Sequence, residues 1–255
     1  MKYKALFVDV DDTLVIHGLD SLPSQKVTEA ITRARENGIH VGLATSRPLH
    51  AVKHIIEHLH LTGLSVISGG TQIYDATNGN IIHEVLLPKP AIPDVLMIAK
   101  EASLKVGMFD GFRDHLIREF VLPESARVIA MYLPEVDLGS VETIEDKLRT
   151  IEKTALHRML SWDKRYSWID ITSIDATKRH GIEHVAALLG LKTEEIVGIG
   201  DGYNDVPLFE AVGLKVAMGN AVPELKEKAD FTAPPVTEDG LAIIVEKLFT
   251  TPDHS

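Results

Sequence analysis

The first half of the chain alternates short apolar runs with longer segments of helical periodicity. Apolar residues at 5–8, 39–44 and 64–67 predict buried strands. Helices are predicted at 24–37, where Ser24 is a suitable cap, and at 49–60. Strands that alternate with helices of this length favour right-handed crossovers and a mainly parallel sheet.

The pattern changes in the middle of the chain. After a proline-dense segment at 88–93, a helix is predicted near 93–103 and another at 141–153. Closely spaced strands are predicted at 105–109, 116–122, 127–133, 155–162 and 166–171, which indicates an antiparallel sheet with helices on one face. The parallel pattern resumes with a helix at 178–189 and a strand at 196–199. We therefore predict one α/β domain, residues 1–83 with 172–255, interrupted by an α+β insertion at 84–171.

Three of the apolar strands end in polar side chains that a buried strand does not need. Asp9 and Asp11 follow the first strand, Thr45 follows the second, and Asp201 follows the strand at 196–199. In open α/β sheets ligands bind at the carboxyl ends of the strands, so we expect these residues to face one crevice. Together with Asp205 they form an all-oxygen set of the kind that suits Mg²⁺, which also bridges to phosphate.

Other metal or nucleotide motifs fit the sequence less well. An EF-hand loop beginning at Asp9 needs glycine at its sixth position, where the chain has Leu14. The glycines at 198–202 lack the dinucleotide-binding spacing, and Asp201 among them would repel a pyrophosphate. The histidines of the helix at 49–60 lie opposite its apolar stripe and are interpreted as a solvated face.

Composition narrows the classes of function. The chain has 255 residues with 37 acidic and 26 basic side chains, a net charge of −11, so nonspecific nucleic-acid binding is not expected. It has no cysteine, which excludes disulfides and thiol catalysis. No apolar run reaches the length of a membrane span or of a signal peptide, and we expect a cytoplasmic protein without membrane partners. The sequence leaves the oligomeric state open.

Four motifs in order resemble those of the haloacid dehalogenase-like phosphohydrolases. They are DVDDTL at 9–14, ATSR at 44–47, Lys178 in ATKRHG, and GDGYND at 200–205. The stretch at 216–233, followed by EDGLA, is similar to the Cof-type subgroup, subfamily IIB, which carries a large α+β cap between its second and third motifs. The resemblance implies a Rossmann-like parallel-sheet core with an inserted cap that serves as a substrate lid.

The resemblance also implies roles for particular residues. Asp9 would attack phosphorus to form an aspartyl-phosphate, and Asp11 would act as general acid and then general base. Thr45 and Lys178 would bind the phosphoryl oxygens. Mg²⁺ would be held by Asp9, Asp201 and the backbone carbonyl of Asp11, with Asp205 orienting metal waters or Lys178. Ser46, Arg47 and Asn204 are further candidates for contact with substrate.

The motifs depart from the common pattern of the family at three positions. Asp12 and Ser46 stand where glycine is usual, and Gly70 replaces a frequent asparagine. Because aspartate tolerates positive φ better than most residues, Asp12 is not expected to distort its loop. The change at Gly70 removes a side chain that would face the cap, so no substrate preference is transferred from the family.

Three functions fit these motifs. The first is a phosphatase acting on a sugar phosphate or a similar small-molecule phosphomonoester. The alternatives are a phosphosugar mutase of the same architecture and a catalytically silent sugar-phosphate-binding protein. The sequence does not name the substrate; in the insertion, Arg113, Lys164 and Arg165 at predicted turns are candidates for contact with the leaving group.

Overall fold

A computed structural model of the chain describes residues 2–16, 18–123, 125–160 and 165–249. The elements follow one another along the chain with short connections. Four single turns of 3-10 helix lie at Ser68–Gly70, Thr193–Glu195, Tyr203–Asp205 and Val236–Glu238. The strands and α-helices are β1 (Ala5–Val8), α1 (Gln25–Glu36), β2 (His40–Leu43), α2 (Leu49–His58), β3 (Leu64–Ile67), β4 (Gln72–Asp75), β5 (Asn80–Glu84), α3 (Ala91–Glu101), β6 (Val106–Phe109), β7 (Asp114–Ile117), β8 (Ala130–Asp137), α4 (Val141–Leu148), β9 (Thr154–Leu160), β10 (Tyr166–Ser173), α5 (Lys178–Leu189), β11 (Ile196–Gly200), α6 (Val206–Glu210), β12 (Leu214–Ala217), α7 (Pro223–Lys228), β13 (Phe231–Thr232) and α8 (Gly240–Phe249).

The chain divides into two units, Met1–His83 with Lys178–Ser255, and Glu84–Thr177. The second boundary therefore lies six residues after the one predicted from the sequence. A break at 171/172 would cut β10, which pairs with β9 as far as its last residue, Ser173. The tertiary hydrogen bonds of the ladder thus keep the whole strand in the inserted unit.

The first unit is built on a parallel sheet, as predicted, with strand order β13-β12-β11-β1-β2. Every residue of β1 is buried, because helices cover a parallel sheet on both faces. Helix α1 packs beside α8, and α5 packs against β3. The Ser24 hydroxyl accepts the amide N–H of Val27 and so caps α1, as its sequence position predicts.

A smaller sheet, β3-β4-β5, also belongs mainly to this unit. The sequence analysis predicted β3 but neither of the other two strands. Strands β4 and β5 are four and five residues long and carry polar residues at both ends. A pattern of hydrophobic and polar residues this short does not distinguish a half-buried strand from a turn.

The second unit is an antiparallel sheet, β7-β6-β8-β10-β9, with its own buried apolar core. This architecture is the predicted α+β insertion, but β8 begins and ends later than the predicted strand at 127–133. The strand continues past Pro134 because a bulge in the pairing with β10 sets Pro134 and Glu135 against the single residue Trp168. Lys164, a predicted contact for substrate, lies outside the described residues. Among the helices that are described, none has the length and apolar character needed to cross a membrane.

Candidate active site

The topology of the parallel sheet brings the predicted site residues together. Strand β1 lies between β11 and β2, so the three strand ends that carry Asp9, Asp201 and Thr45 are neighbours. The backbone N–H of Asp9 donates to the carbonyl of Ile199 at 2.9 Å, so the hydrogen bonds between β1 and β11 extend to the residue that carries the carboxylate. The position of these side chains follows directly from the strand order.

Lys178 joins two of the acids. Its ammonium group lies 2.7 Å from Asp9 Oδ1 and 2.6 Å from Asp205 Oδ1. All three side chains are buried. Lys178 is the first residue of α5, so the start of this helix delivers the cation to the strand ends.

Asp205 organises the loop that follows β11. Its Oδ2 accepts the backbone N–H groups of Asp201 at 2.9 Å and Gly202 at 3.0 Å, while its Oδ1 faces Lys178. The close approach depends on Gly200, because a Cβ there would lie 2.4 Å from Asp205 Cγ. Both carboxylate oxygens of Asp205 are thus engaged by the protein. This arrangement fits the predicted role of orienting Lys178.

The charges of the cluster are not balanced by protein groups alone. Burial, followed by the neighbouring Asp205, raises the pKa of Asp9 to about 7 against the opposing effect of Lys178. Burial, followed by Asp9 and Asp205, raises the pKa of Asp201 to about 9. Burial lowers the pKa of Lys178, but Asp205 and Asp9 outweigh it and raise that pKa overall. The carboxylates therefore need a further cation if all of them are to be ionised.

A divalent cation fits the donors present at this point. Oxygen atoms of Asp9, Asp201 and Asp205 lie within 4.8 Å of one another. Oxygen-only donors and a surplus of negative charge are what Mg²⁺ requires. The Asp11 side chain is not in this group; its predicted part in metal binding concerns its backbone carbonyl.

Asp11 instead forms a two-pronged ion pair with Arg47. Arg47 Nε lies 2.9 Å from Asp11 Oδ2, and Arg47 Nη2 lies 2.6 Å from Asp11 Oδ1. The next residue, Asp12, has φ of +55°, the left-handed conformation that its glycine-like position requires. The sequence analysis expected aspartate to tolerate such a positive φ at this position, and Asp12 adopts one.

Of the remaining predicted residues, Thr45 and Ser46 lie after β2 and Asn204 lies after β11. The hydroxyl oxygen of Thr45 accepts the amide N–H of Arg47 at 3.1 Å, which leaves the hydroxyl proton as a donor. The side-chain amide of Asn204 donates to Ser46 Oγ at 3.2 Å, so these two residues meet across the ends of β2 and β11. Ser46 and Asn204, both predicted to contact substrate, therefore lie together beyond the ends of two strands of the parallel sheet.

Two residues of the site escaped the sequence analysis. Thr13 donates its hydroxyl to Asp201 Oδ1 at 3.0 Å and so orients that carboxylate. Asn220 donates to the backbone carbonyl of Asp12 and accepts the amide N–H of Val236, which links the first motif to the turn before α8. Thr13 lies inside the motif at 9–14 and Asn220 inside the stretch at 216–233, so the two segments that carry the resemblance could have indicated both residues.

Known proteins are similar to this chain in sequence and in fold. A model of the haloacid dehalogenase-like hydrolases matches residues 6–114 and 112–245. A Streptococcus pyogenes protein whose name combines a phosphatase with a peptidyl-prolyl cis-trans isomerase is 30% identical over 97% of this chain, which spans only 54% of that protein. The 5-amino-6-(5-phospho-D-ribitylamino)uracil phosphatase YwtE of Bacillus subtilis is 27% identical, with 97% of this chain and 98% of YwtE covered.

A solved structure shares the fold of the whole chain. The sugar phosphatase BT4131, of haloacid dehalogenase subclass IIB, superposes with a TM-score of 0.81 at 21% identity. The match covers 96% of this chain and 98% of BT4131. The parallel-sheet core and the inserted α+β unit therefore both belong to a known architecture.

Proposed function

The chain belongs to the haloacid dehalogenase-like hydrolase family and is a phosphoric monoester hydrolase, and we propose that it hydrolyses a small phosphorylated metabolite with Mg²⁺. The observation that carries the proposal is Lys178, buried between Asp9 and Asp205 beside Asp201. This arrangement places a carboxylate that can act as the nucleophile, that of Asp9, beside a cation that can bind phosphoryl oxygens, that of Lys178.

The reaction would proceed in two displacements at phosphorus. In the first, a carboxylate oxygen of Asp9 bonds to phosphorus while the bond to the substrate alcohol breaks, and Asp11 gives that alcohol its proton. In the second, Asp11 takes a proton from water as the water oxygen displaces Asp9 and releases phosphate. Lys178 and Thr45 hold the phosphoryl oxygens in both steps.

Asp9, Asp201 and the backbone carbonyl of Asp11 would hold the Mg²⁺ ion. The ion supplies positive charge that the phosphoryl oxygens and the surrounding carboxylates share. The raised pKa values of Asp9 and Asp201, to about 7 and about 9, support this assignment because burial, followed by the neighbouring carboxylates, disfavours their ionised forms, and a bound cation would offset both effects.

The test is release of inorganic phosphate from a panel of phosphomonoesters. The panel includes sugar phosphates, phosphoglycolate, pyridoxal phosphate, flavin mononucleotide, nucleotides and 5-amino-6-(5-phospho-D-ribitylamino)uracil. We expect release with at least one of them, loss of release in chelator, and recovery with Mg²⁺. A mutase would instead return the phosphoryl group to another hydroxyl of the sugar, without net phosphate release.

The covalent mechanism has a separate test. Asp9→Asn keeps the shape of the side chain but removes the nucleophile, so we expect no turnover from a folded protein. The control is Asp20→Asn, which changes an exposed aspartate of the same unit and should keep full activity. Turnover by Asp9→Asn near the wild-type rate would contradict the aspartyl-phosphate.

A further inference from the structure

The side chain of Arg47 is buried, and each of its five N–H groups donates to an acceptor in the protein. Its Nε and one Nη2 hydrogen go to the two carboxylate oxygens of Asp11. The other Nη2 hydrogen goes to the Gly18 carbonyl at 2.8 Å. The Nη1 hydrogens go to the carbonyls of Leu19 and Ala51, each at 3.2 Å. The guanidinium therefore has no donor left for a ligand in this arrangement.

This pattern fixes the Asp11 carboxylate in both position and plane. Asp11 lies on the connection between β1 and α1, and its side chain is 29% exposed against 7% for that of Arg47. Two parallel hydrogen bonds from one planar guanidinium define the orientation of a carboxylate in a way that a single lysine ammonium cannot. The bonds to Gly18 and Leu19 also hold the later part of the same connection.

We propose that Arg47 is a positioning residue that acts through Asp11 and does not contact the transferred phosphoryl group. This inference rests on the proposed function, in which Asp11 moves protons. It replaces the expectation that Arg47 binds substrate, since contact with phosphate would require breaking at least one of the five bonds. A general acid or base contributes only when it is held within reach of the proton it moves.

The inference predicts a dependence on the leaving group. The ratio kcat/KM reports the steps up to release of the alcohol. An alkoxide is a poor leaving group and needs a proton from Asp11 in these steps, whereas p-nitrophenolate leaves readily without one. Arg47→Gln should lower kcat/KM for the best alkyl phosphate of the panel by about 100-fold, within the range that a general acid supplies. For p-nitrophenyl phosphate we expect a loss below about 3-fold, and inhibition by inorganic phosphate should be unchanged.

A double-mutant cycle tests whether Arg47 acts through Asp11. In an Asp11→Asn background, Arg47→Gln should have little further effect on alkyl phosphates, because the group that it positions has already lost its function. Arg47→Lys should restore part of the activity and gives a second measurement if Arg47→Gln does not fold. Arg35→Gln is the matched control: Arg35 donates to the Leu59 carbonyl, and its removal should not alter the ratio of the two substrates.

Two results would overturn the inference. One is an equal loss of kcat/KM for alkyl and p-nitrophenyl phosphates together with weaker binding of inorganic phosphate, which would place Arg47 on the phosphoryl group. The other is additive losses in the double-mutant cycle. A wild-type protein that released phosphate from no substrate would contradict the proposed function itself, whereas a uniform loss in an active enzyme contradicts only the role of Arg47.

Discussion

Replacing Asp201 by asparagine should stabilise the metal-free protein while it removes activity. The substitution keeps the size of the side chain, and the amide oxygen can still accept the hydroxyl of Thr13. The change also removes a negative charge that Asp9 and Asp205 repel. A site arranged for function is expected to cost stability in this way.

The size of the effect follows from the spacing of the carboxylates. At an effective dielectric constant of about 20, two unit charges 4.8 Å apart repel by about 3.5 kcal/mol. Lys178 and partial access to water offset much of this repulsion, so its relief alone should give a gain of about 2 kcal/mol when Asp201 is ionised. Avoiding the burial of a charge adds to that gain. For a protein of this size that gain raises the Tm by roughly 4–8 °C.

The effect should grow with pH. The pKa of Asp201 is raised from 3.8 to about 9, so the folded protein holds this proton more tightly than the unfolded chain does. Stability of the wild type therefore falls between about pH 4 and pH 9 through this group, whereas Asp201→Asn has nothing to titrate there. The difference in Tm should be small near pH 5 and largest above pH 9.

Thermal unfolding in chelator, from pH 5 to pH 9.5, measures this difference. The control is Asp20→Asn, whose exposed side chain should leave the curve unchanged at every pH. Added Mg²⁺ should raise the Tm of the wild type and raise that of Asp201→Asn much less. A variant that is destabilised at pH 9 in chelator, or stabilised by Mg²⁺ as strongly as the wild type, would refute the reasoning.

Three further predictions concern single residues. Lys178→Met should destabilise the protein by about 3–5 kcal/mol, since it removes the cation that faces two buried carboxylates; denaturant unfolding measures this, and a loss below 1 kcal/mol would contradict it. Asp12→Val should cost about 1–2 kcal/mol because of its φ of +55°, and Asp12→Gly should cost less; equal losses would show that the loop does not require that conformation. If the inserted unit serves as a lid, Arg113→Ala should change the ranking of substrates in the phosphate-release panel, whereas a uniform loss would argue against the lid.

The fold could be predicted in outline from periodicity alone. Strand β1 is a continuous apolar run, because a parallel sheet is buried on both faces, and its predicted bounds are confirmed. The predicted bounds of β3, in the smaller sheet, are confirmed as well. The inserted unit was recognised by the change of pattern, but its end was misplaced. Strand β10 looks complete at Ile171, and only its pairing with β9 shows that it continues to Ser173. Boundaries set by tertiary hydrogen bonds leave no local signal in the sequence.

The site could be predicted as far as strand order determines it. Asp9 and Asp201 follow adjacent strands, so their proximity was implied once the sheet was recognised as parallel. The partner of Asp11 was not implied, because the bond from Arg47 joins two connections that are 36 residues apart. The carboxylate that accepts hydrogen bonds from Arg47 is determined by the path of both loops. The spacing of the motifs along the sequence does not specify that path.

The contrast between Asp9 and Asp11 links the electrostatics of the site to its chemistry. Asp9 shares Lys178 with Asp205, and burial together with Asp205 raises its pKa to about 7, so its ionised form is poorly compensated by the protein. Asp11 faces a guanidinium of its own, saturated by the surrounding chain. A carboxylate that is poorly compensated gains from forming a bond to phosphorus, which removes its charge, whereas a carboxylate held in a fixed plane is suited to passing protons at a defined position. The two aspartates stand two residues apart, and their different partners support the different roles that the proposed mechanism gives them.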